Sequence, residues 1–433
     1  MNYEQCLLYL DKVQNLGIKF GLDNVKTILS SFGNPHLSYP SLLVAGSNGK
    51  GSVCAMLSHV LSVHSYRTGL YTSPHLVHVR ERIRSQYVPI SERSFTHHLN
   101  RLRTRIEELI EAKELLSPPT YFEMLSCLAF LFFEEEEVDM AVLEVGMGGR
   151  FDATNVAQPL VTAITTISEE HQKFLGDTPA QIASEKAGII KPSIPIVCGV
   201  EEKEAVETIR RRAGELKAPF ISAFSKERQL ILVKPGVHHT FSYQFDSHEY
   251  VFTPSLRGAH QGRNAAIAIA VLEQLDRLWQ KLDREQIIQG LEMTRWPGRL
   301  EVLSEHPFVL VDGAHNEEGA RALSAYVKEF VPKPLTLIFA VMRDKNIEHL
   351  ANILFPLADK VILTRFPFHK VAEPEDVLEK AQDFQDRILL EPDVDRAVKI
   401  ALEETSTEGA ICVAGSLFLV GELKKIFPSS DVQ

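Results

Sequence analysis

The chain has 433 residues, of which 45% are hydrophobic and 24% charged, and its formal net charge at pH 7 is −11. One hydrophobic core rarely organises so long a chain, so we expect two globular domains. The negative charge argues against a general nucleic-acid-binding protein, which needs a basic face for the phosphate backbone.

Three further features bear on compartment and partners. The five cysteines are scattered and form no C-x-x-C pair, which disfavours a disulfide framework or a zinc site. The N-terminal segment lacks the basic and apolar regions of a secretory signal. The longest apolar run, 125–133, is about half as long as a membrane-spanning helix. We therefore expect a cytoplasmic protein without membrane or nucleic-acid partners.

In the first half of the chain, short apolar runs alternate with longer amphipathic stretches, which is typical of a mostly parallel sheet flanked by helices. We predict strands at 42–45, 69–71, 140–145, 162–167 and 195–198, and helices at 91–115, 121–136 and 201–216. Period-two alternation over 230–256 then predicts a small antiparallel ribbon, and a helix is expected at 264–279.

A segment with Pro and Gly, 294–303, interrupts this pattern and is typical of a linker. A second alternating array follows, with strands expected at 309–312, 335–339, 361–364, 388–390 and 410–413. We thus predict two α/β domains, 1–296 and 297–433, each with its own sheet.

The first predicted strand leads into the glycine-rich loop G-S-N-G-K-G-S, 46–52, and then into a helix. In such a turn, backbone N–H groups and the helix dipole converge on one point, which therefore binds phosphate. The loop departs from the common G-x-x-x-x-G-K-[ST] motif, because Val44 stands where the first glycine would fall and Gly51 separates Lys50 from Ser52. For the loop taken alone, a tight turn with a solvated lysine is the alternative.

The amino-acid sequence of this loop resembles that of folylpolyglutamate synthases and, more loosely, that of the Mur ligase superfamily of ATP-dependent amide-bond ligases. Eight further blocks resemble segments of the same family, in the same order: 69–83, 120–130, 142–155, 169–192, 258–268, 295–301, 312–320 and 414–422. Two positions depart from the family pattern. Glu170 stands where Asp is usual, and Asn346 stands where a second acidic residue is frequent.

The resemblance implies a P-loop-type ATPase domain with a mostly parallel sheet and a smaller Rossmann-like α/β C-terminal domain. It also implies a ligase that adds L-glutamate to folates, and also to dihydropteroate, through an acyl phosphate made with ATP. A monofunctional dihydrofolate synthase and a nucleotide-binding module without ligase activity are the alternatives. A muramoyl-type ligase would be expected to carry a further domain ahead of the loop, and a kinase or GTPase would not need the second α/β domain.

For ATP, the resemblance implies that Lys50 binds the β- and γ-phosphates and that Asn264 contacts the adenine. The full implied nucleotide set is Gly46, Ser47, Asn48, Gly49, Lys50, Gly51, Ser52, Asn264, Arg299, Asp312 and His315. Arg299 and Asp312 are expected on opposite sides of a hinge, so that domain closure completes the site and excludes water. The alternative for Asp312 is a helix N-cap, and both roles are compatible.

Magnesium prefers oxygen ligands, and one or two carboxylates suffice when phosphates supply the rest. The resemblance implies Glu144 as the main magnesium ligand, with Ser73 on the first ion and His171 on a second. Lys50, Lys186 and His171 are the implied catalytic residues. Lys186 is often carbamylated in this family, and burial, which lowers the pKa of a lysine, favours the amine that reacts with carbon dioxide. A helix-face lysine and a structural histidine are the alternatives for Lys186 and His171.

On the substrate side, the resemblance implies Phe122, Ser73, His75 and Ser416. Phe122 and its neighbour Tyr121 offer flat surfaces to a pteridine ring, although aromatic residues on an apolar helix more often belong to a core. Glutamate is expected near His315 and Ser416. The expected partners are therefore small molecules, namely ATP, a folate or dihydropteroate, and L-glutamate, and the protein is expected to be a monomer.

Overall fold

The computed structural model describes residues 1–14, 21–168 and 175–427, in which three β-sheets are covered by helices. The elements up to residue 222 are α1 (Tyr3–Gln14), α2 (Asp23–Ser30), β1 (Ser41–Ala45), α3 (Lys50–Val63), β2 (Thr68–Tyr71), β3 (Ile83–Ser85), β4 (Val88–Pro89), α4 (Glu92–Glu111), α5 (Tyr121–Glu135), β5 (Met140–Glu144), β6 (Pro159–Ile164), α6 (Pro179–Lys186), β7 (Ile196–Cys198), α7 (Lys203–Glu215) and β8 (Phe220–Ser222).

These strands form an eight-stranded sheet in the order β4-β3-β2-β5-β1-β6-β7-β8. Six neighbouring strands are parallel, namely β2, β5, β1, β6, β7 and β8. The strands β3 and β4 add an antiparallel edge beside β2. The chain crosses outward in both directions from β1, so the loops after β1, β2, β5 and β6 meet at one edge of the sheet. Ligands of open α/β sheets bind at this edge, outside the carboxyl ends of the strands.

Apolar side chains cover both faces of the large sheet. On one face, α1, α2, α4, α5 and α7 pack in a core that includes the fully buried Phe95 and Phe133. On the other face, α3 packs with α8 (His260–Leu278) and α9 (Arg284–Met293). The strands of the sheet interior are accordingly rich in apolar residues, as is typical of parallel strands covered on both sides.

The expected antiparallel ribbon is confirmed as a three-stranded sheet, β9 (Leu230–Lys234), β10 (Thr240–Phe245) and β11 (His248–Phe252), in the order β11-β10-β9. Its inward side chains, among them Tyr243 and Phe245, join the same core as α8.

The rest of the described chain forms a second α/β unit. Its elements are β12 (Glu301–Glu305), β13 (Phe308–Val311), α10 (Glu317–Phe330), β14 (Leu335–Phe339), α11 (Ile347–Leu354), β15 (Lys360–Leu363), α12 (Pro374–Glu379), β16 (Ile388–Leu390), α13 (Val394–Glu404), β17 (Ala410–Ala414) and α14 (Leu417–Ile426). The sheet order is β12-β13-β17-β14-β15-β16, and only the pairing of β12 with β13 is antiparallel among the pairs described.

All ten strands expected in the two alternating arrays are present, with shifted ends. The expected strand 162–167 stops at Ile164 because the next two residues turn away to hold the glycine loop: Ser47 N–H donates to the Thr166 carbonyl at 2.8 Å. The predicted C-terminal end of the linker 294–303 is wrong, because its last three residues, 301–303, belong to the edge strand β12. The short strands β3, β4 and β8 were not predicted. The domain boundary at residue 296 stays a prediction.

None of the helices in the described ranges is long and apolar enough to cross a membrane.

Candidate active site

The glycine loop joins the buried strand β1 to α3, and α3 begins at Lys50 itself. The Lys50 ammonium group turns back over the loop, where Nζ donates to the carbonyl oxygens of Gly46 at 2.8 Å and Ser47 at 3.0 Å. The first N–H groups of α3 have no partners within the helix and carry its positive dipole end. The loop therefore combines a fixed cation with free backbone donors, as a phosphate site requires.

Gly49 shows why this loop needs glycine. Its φ is +85°, a conformation that L side chains rarely adopt, and a Cβ atom here would collide with the side-chain oxygen of Asn264. Asn264 lies on α8 and donates from Nδ2 to Gln261 Oε1 at 2.9 Å. The loop is thus packed directly on the helix that carries one of the predicted nucleotide contacts.

Glu144 and Ser73 come from the ends of the neighbouring strands β5 and β2. The Ser73 N–H donates to Glu144 Oε2 at 2.9 Å, while Oε1 accepts no hydrogen bond from the described residues. Glu144 is only 4% exposed, and this burial raises the pKa of its carboxyl, although the nearby Lys50 opposes the shift. A buried carboxylate with a free oxygen is a destabilised charge that a cation would compensate.

This donor set fits magnesium better than zinc. The described residues contain no cluster of three His, Cys, Asp or Glu side chains that could hold a metal unaided. One carboxylate oxygen and a serine hydroxyl beside a phosphate loop are the ligands that magnesium uses when substrate phosphates complete its shell. His171, the predicted ligand of a second ion, and Glu170 lie outside the described residues.

Lys186, at the end of α6, reaches the same loop from the opposite side. The residue is 2% exposed, and its Nζ donates to the Gly46 carbonyl at 2.9 Å. One carbonyl oxygen therefore accepts from both Lys50 and Lys186. The alternative of a helix-face lysine in a surface charge pattern does not fit this burial.

The second α/β unit contributes Asp312 and His315 from the turn after β13. Asp312 accepts from the N–H groups of Leu300 and Ala314, each at 2.8 Å, and burial raises the pKa of its carboxyl. His315 Nδ1 lies 2.8 Å from the Gly313 carbonyl, to which it donates. The alternative of a helix N-cap at Asp312 is wrong, because Asn316 caps α10 by accepting from Gly319 N–H at 2.9 Å.

Arg299 is attached to this same unit. The Gly313 N–H donates to the Gly298 carbonyl at 3.0 Å, and Leu300 is bonded to Asp312. The expectation that Arg299 and Asp312 lie on opposite sides of a hinge is therefore wrong, since hydrogen bonds on both sides of Arg299 fix it to the second unit.

These residues surround one cavity of about 250 Å³ between the two α/β units. Of the predicted site, its lining includes Gly46, Ser47, Asn48, Gly49, Lys50, Gly51, Ser52, Ser73, Glu144, Lys186, Asn264, Arg299, Asp312 and His315. Residues as distant in sequence as Gly46 and His315 are thus brought together at the carboxyl edge of the large sheet.

Three predicted substrate residues lie outside this lining. The Phe122 ring packs on Gly146 at the cavity wall and lies 5.8 Å from the Tyr71 ring. His75 is partly buried and accepts from Arg82 Nε through Nδ1 at 2.9 Å. Ser416 is the N-cap of α14 and accepts from Phe418 N–H at 3.1 Å, so its hydroxyl already has a structural role.

Sequence reasoning missed several residues at the site. Asn316 and Glu318 both reach Asn48 of the loop: Asn48 Nδ2 donates to Glu318 Oε2 at 2.6 Å, and Asn316 Nδ2 donates to Asn48 Oδ1 at 2.9 Å. They belong to the block 312–320, so their place in a family segment was a usable signal. Trp296, which packs on Gly51, and Arg82 also belong to such blocks.

Two family models match the chain. Residues 44–272, more than half of the chain, match the Mur ligase middle domain, and residues 300–426 match the C-terminal domain of dihydrofolate synthetase.

Relatives match over almost the full length. The dihydrofolate synthase/folylpolyglutamate synthase of Bacillus subtilis is 34% identical over 432 residues and 98% of each chain is covered. The dihydrofolate synthetase of Saccharomyces cerevisiae is 34% identical, with 96% of this chain and 99% of the relative covered. Among solved structures, Mycobacterium tuberculosis folylpolyglutamate synthase complexed with ADP and AMPPCP superposes with a TM-score of 0.91 at 28% identity, covering 99% of this chain and 100% of that one.

Proposed function

The chain belongs to the folylpolyglutamate synthase and dihydrofolate synthase family of Mur ligases, and from this membership we propose that it is an ATP-dependent ligase that adds L-glutamate to folates. The observation that carries the proposal is the single cavity in which Lys50, Glu144 and Lys186 of the large unit face Arg299 and Asp312 of the second.

The reaction must make a carboxylate reactive toward an amine. A carboxylate oxygen of the acceptor attacks the γ-phosphorus of ATP and ADP leaves, which gives an acyl phosphate. The amine of glutamate then attacks the acyl carbon, and the tetrahedral intermediate expels phosphate to give the amide. Because ATP and the carboxylate are both anions, the site must supply cations and oriented donors between them.

The side chains of the cavity suit these demands. In our proposal Lys50 and the loop N–H groups bind the β- and γ-phosphates, Asn264 binds the adenine, and Arg299, Asp312 and His315 bind from the second unit. Glu144 and Ser73 would hold a magnesium ion, which when bound supplies positive charge between the phosphate oxygens and the approaching carboxylate.

Lys186 is proposed to act beside the phosphates, opposite Lys50. Its burial against the Gly46 carbonyl supports a role inside the site. Carbamylation, which would turn it into an oxygen ligand, remains part of the proposal. An intact mass greater than the calculated one by one carbon dioxide would support it, and an unmodified mass together with no rescue of Lys186→Ala by short carboxylic acids would contradict it.

We also propose that dihydropteroate is a second acceptor. The Bacillus subtilis relative carries both activities in its name, while the equally similar Saccharomyces cerevisiae relative is named a dihydrofolate synthetase. Both reactions need the same acyl phosphate chemistry, and they differ in whether the carboxylate belongs to an aryl group or to a glutamate side chain.

Compartment and assembly are further parts of the proposal. All five cysteines are buried free thiols, which supports the reducing cytoplasm. Both α/β units of one chain line the cavity and together supply all the proposed nucleotide-binding residues, which supports a monomer. Light scattering of the purified protein should give a mass near 48.6 kDa.

The decisive experiment supplies purified protein with ATP, magnesium and [14C]glutamate, together with either dihydropteroate or tetrahydrofolate. We expect a labelled amide product and stoichiometric ADP with both acceptors. Product with one acceptor alone would overturn the second activity, and no product with either would overturn the proposed function. ADP formed without glutamate or acceptor would favour a plain nucleotide hydrolase.

A further inference from the structure

Arg82 is a buried arginine whose charge meets no carboxylate in the parts of the chain that the structure describes. It ends the short helical turn before β3 and is 8% exposed. Its Nε donates to His75 Nδ1 at 2.9 Å, and the guanidinium lies 5.3 Å from the centre of the Tyr121 ring. Neither partner is an anion. A buried charge without a counterion is costly, so an arginine in this state indicates an anion that is supplied by a ligand.

The position of Arg82 relates it to both halves of the site. Its carbonyl accepts from Thr72 N–H at 2.9 Å, which fixes it to the turn that carries Ser73. Tyr121, whose ring centre lies 5.3 Å from the guanidinium, directly precedes Phe122, whose ring packs on Gly146 at the cavity wall. The guanidinium therefore lies between the turn that carries Ser73 and the aromatic end of the site.

His75 fixes the direction of the guanidinium. Every nitrogen of a guanidinium group donates, so His75 Nδ1 is the acceptor in the 2.9 Å hydrogen bond from Arg82 Nε. The two terminal nitrogens of Arg82 donate to no group within the described ranges. They are the pair that binds a carboxylate through two parallel hydrogen bonds.

We propose that Arg82 binds the carboxylate of the acceptor acid through these terminal nitrogens and presents it to the phosphate end of the site at Ser73 and Glu144. This inference rests on the proposed function, because it assigns one residue to the acceptor of that reaction. It also makes His75 a positioning residue that acts through Arg82. The neutral carboxamide of the same pterin would lose this interaction, so Arg82 would distinguish an acid from its amide.

The test compares dihydropteroate with its carboxamide as ligands of the wild type, Arg82→Ala and Arg82→Lys. For Arg82→Ala we expect the affinity for the acid to fall by about 10- to 100-fold, the loss typical of a charge-assisted hydrogen-bonded pair. The affinities for the carboxamide and for ADP should stay within about threefold of wild type. Arg82→Lys keeps the positive charge but lacks the paired donors. Its affinity for the acid should therefore lie between those of the wild type and Arg82→Ala.

Arg80→Ala is the matched control. Arg80 lies in the same turn, but it is directed at the Ile90 carbonyl, Glu92 and the Tyr3 ring. Its removal should leave the affinities for acid and carboxamide unchanged.

Equal losses for acid and carboxamide in Arg82→Ala would show a structural role and overturn the inference, as would unchanged binding of the acid. If Arg82→Ala does not fold, the same comparison in Arg82→Lys decides. If the wild type binds dihydropteroate and turns it over, but Arg82 substitutions weaken binding of the acid no more than binding of the carboxamide, this inference alone fails. A wild type without ligase activity would defeat the proposed function.

Discussion

Asn48 of the phosphate loop and Glu318 of α10 are joined by a hydrogen bond of 2.6 Å, across a sequence separation of 270 residues. Asn316, the N-cap of α10, holds the other end of the Asn48 amide at 2.9 Å. The loop is thus connected to the second α/β unit by side chains at the rim of the cavity. Glu318 also lines the cavity in which we propose that the triphosphate binds.

Glu318→Gln should therefore tighten nucleotide binding. Glutamine still accepts from Asn48 Nδ2, but the repulsion between carboxylate and phosphates is removed. We expect the Kd for ADP at low salt to fall by about 2- to 5-fold, with a smaller change at high salt because ions screen exposed charges. Titration calorimetry at two salt concentrations measures it.

The neighbouring Glu317→Gln is the control for Glu318. Glu317 is exposed and pairs with Arg321 and His349, away from Asn48. Its substitution should leave the Kd nearly unchanged. Weaker ADP binding by Glu318→Gln would show that the carboxylate contacts the nucleotide favourably and would contradict the repulsion argument.

Glu144→Gln should abolish ligation and stabilise the ligand-free protein. Burial raises the pKa of Glu144 in the folded state, so the ionised carboxylate disfavours folding at neutral pH. That penalty is relieved as the pH falls through the raised pKa. We expect the variant to have a higher Tm than wild type at pH 7, and the gain should shrink as the pH is lowered through the raised pKa of Glu144.

Scanning calorimetry at several pH values, together with the ligase assay, tests Glu144→Gln. The exposed Glu227→Gln is the control and should show neither effect. A lower Tm at pH 7 would mean that the carboxylate has a stabilising partner, and retained ligation would remove Glu144 from the proposed metal site.

Lys50→Ala should lower the rate of ADP formation by about 100-fold or more, since one preorganised charge at the transferred phosphate is removed. The fold should persist, because within the described residues Lys50 donates to just two carbonyls, both in its own loop. Initial rates and thermal melts test this, with the exposed Lys226→Ala as control. Turnover near the wild-type rate would refute the role of Lys50.

Gly49→Ala should weaken ATP binding by about 10-fold or more and lower the Tm. Alanine at a φ of +85° is strained, and its methyl group would push against Asn264. Gly214→Ala is the matched control, because no atom lies within 4 Å of the added methyl in α7. It should stabilise the protein by about 0.5 kcal/mol. Equal effects of the two substitutions would contradict the packing argument.

The sequence predicted the two sheets well because apolar periodicity is a local signal. Strands such as β1 and β5, buried on both faces, are continuous apolar runs, and their ends therefore marked the edge where Glu144 and the glycine loop meet. The three-residue strands β3 and β8 contain too few residues for any period to be visible.

The side-chain partners at the site were harder to predict. The residue types of Asp312 and Ser416 suit either a cap or a binding role, and only the turn geometry shows that Ser416 caps a helix while Asp312 accepts from Leu300 and Ala314. Likewise, nothing in the local sequence indicates that Asn48 would contact Glu318, or that Arg82 would be buried beside His75. Such contacts arise from tertiary packing between segments that are distant in the chain.

The bonds from Gly313 to Gly298 and from Asp312 to Leu300 also locate the pivot between the two units. Any swing of the smaller unit must occur before Gly298, in the few residues that follow α9. Arg299 would then move with that unit, together with Asp312 and His315. If these residues bind the phosphates as we propose, movement of the smaller unit would withdraw all three from ADP at the same time.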